Sequence, residues 1–84
     1  MKVDVTHQFK KEYAKAKRSH LADKINELIL IISRNPFQNP PPYEKLSGCD
    51  GIYSRRINGQ HRLVYSVNIE KQRIILEHCW SHYE

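Results

Sequence analysis

Cysteine is scarce in this sequence: Cys49 and Cys79 are the only two among 84 residues. Two cysteines do not make the disulfide framework of a small secreted domain, so both thiols are expected to be reduced. No apolar run approaches the roughly 18–20 residues that a membrane span requires. The segment Met1-Lys2-Val3-Asp4 has no signal-peptide apolar block, so the expected location is cytoplasmic. Repeats and low-complexity segments are missing. So are a Gly-rich phosphate loop and a GxSxG elbow, which removes P-loop nucleotide chemistry and the serine-hydrolase elbow from consideration. Cys79 and His82 have a ligand-like spacing that His61, His78 and Cys49 could extend. No CxxC or HxxxH pair completes a four-ligand set, so neither a metal nor a cofactor is expected.

What is present fits one soluble folded domain spanning residues 1–84. Hydrophobic residues make up 39% and charged residues 27%, a balance typical of a globular chain. A chain of this length buries only about 60–65% of its unfolded surface, so the core is modest. Fourteen Lys and Arg against nine Asp and Glu leave a net charge of +5. An excess of positive charge draws polyanions, whether RNA, DNA or an acidic protein.

The proline-rich stretch Asn35-Pro36-Phe37-Gln38-Asn39-Pro40-Pro41-Pro42 divides a helical half from a strand-like half. Lys2–Val5 alternates polar and apolar residues, which predicts a short strand. Thr6 is placed to cap a helix whose buried stripe is Phe9, Tyr13 and Ala16. Ser19 is a second candidate cap. Leu21, Ile25, Leu28, Ile29 and Ile32 mark the inner face of a second helix, widened by Leu30 and Ile31 and stopped by Pro36. Strands are predicted over residues 51–57, 60–67 and 72–80, the first two joined at Asn58-Gly59. The order β-α-α-β-β-β predicts an α+β fold, a curved antiparallel sheet with two N-terminal helices packed on one face.

The hairpin brings two arginines face to face. A two-residue loop sets Arg55 opposite Arg62, and a three-residue loop with a bulge sets Arg56 there instead. Like charges directly opposite cost roughly 0.2–1 kcal/mol. A bound phosphate converts that cost into a fork of charge-assisted hydrogen bonds. RNA can be cut by its own 2′-hydroxyl if a base lies near the hydroxyl and an acid near the leaving 5′-oxygen. Fixed positive charge at the phosphate completes the set. Glu44, His82 and the arginines can fill these three roles, with Trp80 anchoring the C-terminal end.

The segments Lys24-Ile25-Asn26-Glu27-Leu28-Ile29, Asn35-Pro36-Phe37, Pro42-Tyr43-Glu44-Lys45-Leu46, Tyr53-Ser54-Arg55-Arg56-Ile57, His61-Arg62-Leu63-Val64-Tyr65 and Trp80-Ser81-His82-Tyr83 together resemble the YoeB/Txe branch of the RelE-like bacterial toxins. That resemblance implies a microbial RNase fold and ribosome-dependent cleavage of mRNA in the A site, with no metal. It implies Glu44 as base, Arg62 as the transition-state arginine, His82 as acid and Tyr83 as an active-site tyrosine. It makes Arg56 a phosphate contact, favouring the bulged register, with Arg55 and Lys45 as further RNA contacts. Lys45 is a substitute for a lysine that many relatives carry a little later, and Glu84 extends the chain past the tyrosine where some relatives end. A homodimer and an acidic antitoxin of YefM type are the implied partners, besides mRNA on the ribosome. Two rivals share the basic charge: a ParE-like toxin of the same fold, and an RNA- or ribosome-binding domain without catalysis.

Overall fold

The computed structural model describes residues 1–46, 48 and 50–80. Strand β1 is Lys2–Val5, followed by helices α1 (His7–Arg18) and α2 (Ala22–Arg34). Then come β2 (Glu44–Lys45), β3 (Ile52–Arg56), β4 (Arg62–Asn68) and β5 (Arg73–His78). The described strands form one sheet in the order β1-β5-β4-β3-β2. Pairing is antiparallel except at β1, which lies parallel to β5 with Val3 opposite Ile74. The predicted plan thus gains a two-residue strand, β2, and one parallel edge. The parallel edge follows from the two-helix crossover between β1 and the rest of the sheet: a long connection permits a parallel neighbour, whereas a tight hairpin does not.

Local chemistry explains the helix ends. Thr6 Oγ1 accepts the Phe9 N–H at 3.0 Å and caps α1. Ser19 does not start α2; it closes α1. His20 takes a positive φ of 62°. The Leu21 N–H then donates to Ala16 O at 2.9 Å and the His20 N–H to Lys17 O at 3.3 Å. This is a Schellman closure built on histidine in place of the usual glycine. Helix α2 begins after Leu21 without a side-chain cap and ends at Asn35, one residue before Pro36.

The core lies between the helices and one face of the sheet. Phe9, Ala16, Ile25, Leu28 and Ile32 pack on Leu63, Tyr65, Ile74 and Leu76. Each fully buried aliphatic side chain among them contributes roughly 1.5–3 kcal/mol relative to exposure. Leu30, expected to widen the buried stripe, is 55% exposed. Its position on α2 is turned away from the inner face set by Ile25, Leu28 and Ile32. The other face of the sheet carries the alternate residues of β3 and β4 and receives no helix.

Candidate active site

The β3–β4 hairpin places the arginines. Arg56 is opposite Arg62, and Arg55 is opposite Leu63. The connecting loop is Asn58-Gly59-Gln60, closed by the Ile57 N–H donating to His61 O at 2.9 Å. Asn58 Oδ1 accepts from the N–H groups of Gln60 (2.9 Å) and His61 (2.7 Å). That side-chain cap sustains a three-residue loop and selects this register over the alternative. Because side chains alternate along a strand, Arg56, Arg62 and Ser54 share the open face, while Arg55 faces inward.

The expectation that Arg55 contacts RNA is corrected by this placement. Arg55 is 1% exposed. Its guanidinium donates to Pro41 O at 2.6 Å, Pro36 O at 3.0 Å and Tyr65 Oη at 3.1 Å. It lies 5.1 Å from the centre of the Tyr43 ring. The Tyr65 hydroxyl donates to the same Pro36 oxygen at 2.7 Å, and burial pushes its pKa up. Arg55 therefore pins both ends of the proline segment to the sheet. This delivers the chain to β2, where Glu44 pairs with Ser54 and Lys45 with Tyr53.

That pairing sends Glu44 and Lys45 to opposite faces. Glu44 joins the arginines: its Oε1 accepts from Arg62 Nη1 at 3.0 Å. The same Nη1 is 3.4 Å from Ser54 Oγ. Pro42, Tyr43, Glu44, Ser54, Arg56 and Arg62 line a cleft of about 250 Å³. Lys45 stands outside it, 3.9 Å from Asp50, so its expected RNA contact does not lie in the cleft. The Arg62–Glu44 pair is open to solvent, and such pairs contribute only about 0–1 kcal/mol. Little holds Arg62 on Glu44 when a phosphate offers it a better acceptor.

His82 and Tyr83 lie outside the described residues. Trp80, the last described residue before them, stacks on His61 with ring centres 4.1 Å apart, at the end of β4 that begins with Arg62. A further anchor was not read from the sequence. Glu12, 2% exposed, accepts the backbone N–H groups of Cys79 at 2.8 Å and Trp80 at 3.1 Å. Gln8 donates to it at 2.8 Å, and His78 Nδ1 lies 3.1 Å away. Burial opposes its ionisation, yet the hydrogen bonds from Gln8, Cys79 and His78 outweigh it and hold the pKa below the ordinary glutamate value. Its signal was a charged residue one position before Tyr13, within the buried stripe of α1. Ser54 was likewise missed as a cleft residue, although its two-residue spacing from Arg56 on one strand gives it the same face. Cys79 is buried, and desolvation with the nearby Glu12 charge pushes its thiol up to about 12. It is neither a nucleophile nor a ready thiolate ligand.

Residues 6–83 match the family model described as the YoeB-like toxin of the bacterial type II toxin–antitoxin system. The chain belongs to this family. It is 40% identical to the toxin YoeB of Synechocystis sp. over 65 residues, which cover 76% of this chain and 73% of that protein. The YoeB/ParE toxin from Agrobacterium tumefaciens superposes with a TM-score of 0.87 at 36% identity, covering 99% of this chain and 100% of that one. YoeB from Staphylococcus aureus is also 36% identical. It superposes with a TM-score of 0.80 in its complex with YefM and 0.82 as a dimer, each covering 99% of this chain and 98% of that one. The α+β, RelE-like architecture expected from the sequence is the one these YoeB-type toxins share.

Proposed function

We propose that this YoeB-family toxin is an endoribonuclease that cleaves mRNA in the ribosomal A site and so stops translation. The observation that carries the reading is the convergence of Glu44, Arg56 and Arg62 in one cleft on the helix-free face. A carboxylate beside two guanidiniums is the set needed to deprotonate a 2′-hydroxyl and stabilise the charge gathering on the phosphate. A ParE-like toxin or a passive RNA binder has no need for a carboxylate there, since it repels the phosphate that the arginines attract.

In this mechanism Glu44 takes the 2′-hydroxyl proton as that oxygen attacks the adjacent phosphorus. Arg62 leaves Glu44 for the phosphate oxygens, with Arg56 beside it. His82 protonates the departing 5′-oxygen, and Tyr83 holds the substrate or the histidine. The 2′-oxygen displaces the 5′-oxygen, so the upstream product ends in a 2′,3′-cyclic phosphate and the downstream product begins with a 5′-hydroxyl. No step calls for a metal ion.

The S. aureus relative is seen with YefM and as a dimer; we assign this chain an acidic antitoxin of that type and a homodimeric state. A groove of about 350 Å³ between β1, α1 and α2 is lined by Val3, Val5, Phe9, Tyr13 and Ile29, with Lys10 at its edge. Its apolar floor and the lysines of α1 suit an acidic amphipathic segment. Residence in the cytoplasm follows from a ribosomal substrate. The test is a purified ribosome complex carrying a defined mRNA. The wild-type protein should cut in the A site, and Glu44→Gln should cut about 10²–10⁴-fold more slowly while remaining folded. A folded wild-type protein that leaves ribosome-bound mRNA whole overturns the reading.

A further inference from the structure

The helix-free face holds a second recess beside the cleft. Leu46, Ile52, Val64, Glu77 and His78 line a pocket of about 300 Å³, within the size range of small-molecule sites. The two recesses meet along one row of the sheet: Val64 pairs with Ser54, and Ser54 pairs with Glu44. Val64 lies two residues beyond Arg62 on the same face of β4, about 7 Å away. That is a reach one nucleotide spans between its phosphate and its base. Leu46, Ile52 and Val64 come from neighbouring chain segments, with the Leu46 N–H donating to Ile52 O at 2.9 Å. Leu46 and Ile52, both half-buried, form an apolar floor that no helix covers, with Val64 buried beneath it.

The rim of this recess carries one carboxylate, Glu77, beside His78. A bare carboxylate on an RNA-facing surface repels the backbone, so its presence asks for a donor to receive. Ser66 Oγ donates to Glu77 Oε2 at 3.1 Å, which fixes one oxygen of the carboxylate. His78 is fixed at the rim by its Nδ1, 3.1 Å from Glu12 Oε2. Among the bases, guanine offers adjacent N1–H and N2–H donors on one edge, whereas uracil offers one N–H between two carbonyls.

We propose that this recess is a base-reading subsite that seats a guanine flanking the scissile phosphate, its face on Leu46 and Ile52 over the buried Val64 and its donor edge on Glu77. The inference rests on the RNA-cleaving reading above and adds to it a residue that determines specificity. Glu77→Gln keeps the shape of the side chain and replaces one acceptor by an amide.

Two measurements test it. In the first, ribosome-bound mRNAs differ only in one A-site base. The wild-type toxin should favour guanine over uracil by roughly ten- to a hundredfold, and Glu77→Gln should lose most of that preference. An unchanged preference in the folded variant overturns the subsite. The second does not depend on cleavage. Guanosine monophosphate should shift the methyl NMR signals of Leu46, Ile52 and Val64 in the wild-type protein well before uridine monophosphate does, and Glu77→Gln should erase the difference. Equal responses to the two nucleotides, or shifts confined to other methyls, overturn the subsite even if the toxin cuts RNA. Guanosine-selective shifts from a toxin that cuts nothing would uphold the subsite and reject the nuclease reading.

Discussion

Arg55 and Arg62 stand on adjacent strands of one hairpin, yet they live in different worlds. Arg55 is buried beneath the helix-covered face and gives its donors to Pro36, Pro41 and Tyr65. Arg62 is partly open to solvent and rests on Glu44 across an exposed, weak contact. Side-chain alternation along the strand accounts for the difference. A guanidinium saturated by the protein's own oxygens stiffens the scaffold, whereas one held loosely is available to a phosphate. The proposed mechanism uses both, since Arg55 fixes the segment that presents Glu44 to Arg62.

Removing the open arginine should give the larger loss of activity. Arg62→Ala is expected to lower the cleavage rate about 10²–10³-fold and to leave the urea-unfolding midpoint nearly unchanged, since it sits in an exposed pair. Single-turnover kinetics on ribosome complexes and a denaturant titration would measure the two effects. A large drop in stability would erase the contrast with Arg55.

The buried arginine should behave the other way round. Arg55→Met leaves the Pro36 and Pro41 oxygens without their donor, and a loss of about 2–4 kcal/mol in unfolding free energy is expected. Arg55→Lys should recover part of it, because one ammonium cannot replace the planar fork. If Arg55→Met is as stable as wild type and only its activity falls, Arg55 belongs to the RNA after all.

These outcomes bear on what the sequence reveals. The period of apolar residues located both helices, and Thr6 announced the cap it forms. The hairpin was visible in Asn58-Gly59, but its register depends on Asn58 Oδ1 accepting two N–H groups, a choice that composition alone does not dictate. Strand β2 has two residues and no apolar alternation of its own; its partner β3 and the Arg55 clamp create it. Glu44, Arg56 and Arg62 were legible as a set through family resemblance, and the structure brings them together. That Lys45 lies outside the cleft was not legible, because a two-residue strand decides which of two neighbours faces it. Glu12 escaped notice because a lone glutamate on a lysine-rich helix reads as surface until its partners at Cys79 and Trp80 are seen.

A smaller effect separates the two open-face arginines. Arg56 has no carboxylate beside it among the described residues, and Arg56→Ala should slow cleavage by about tenfold, the worth of one supporting charged contact. A loss equal to that of Arg62→Ala would make the pair equivalent.

The smallest effect concerns acid. Glu12 has a folded pKa below its ordinary value, so the stability it contributes is present above about pH 4.5 and is lost as pH falls through the lowered value. Glu12→Gln should therefore show a shallower decline in unfolding free energy than wild type between about pH 5 and 3. Parallel declines would mean that the anchor of Cys79 and Trp80 is indifferent to its charge.

The central claim, that Glu44 activates the RNA's own 2′-hydroxyl under Arg62, is tested most directly by the ends of the cut RNA. A defined mRNA on purified ribosomes, cleaved and analysed by mass spectrometry, should yield a 2′,3′-cyclic phosphate upstream and a 5′-hydroxyl downstream. A 5′-phosphate on the downstream fragment would contradict it.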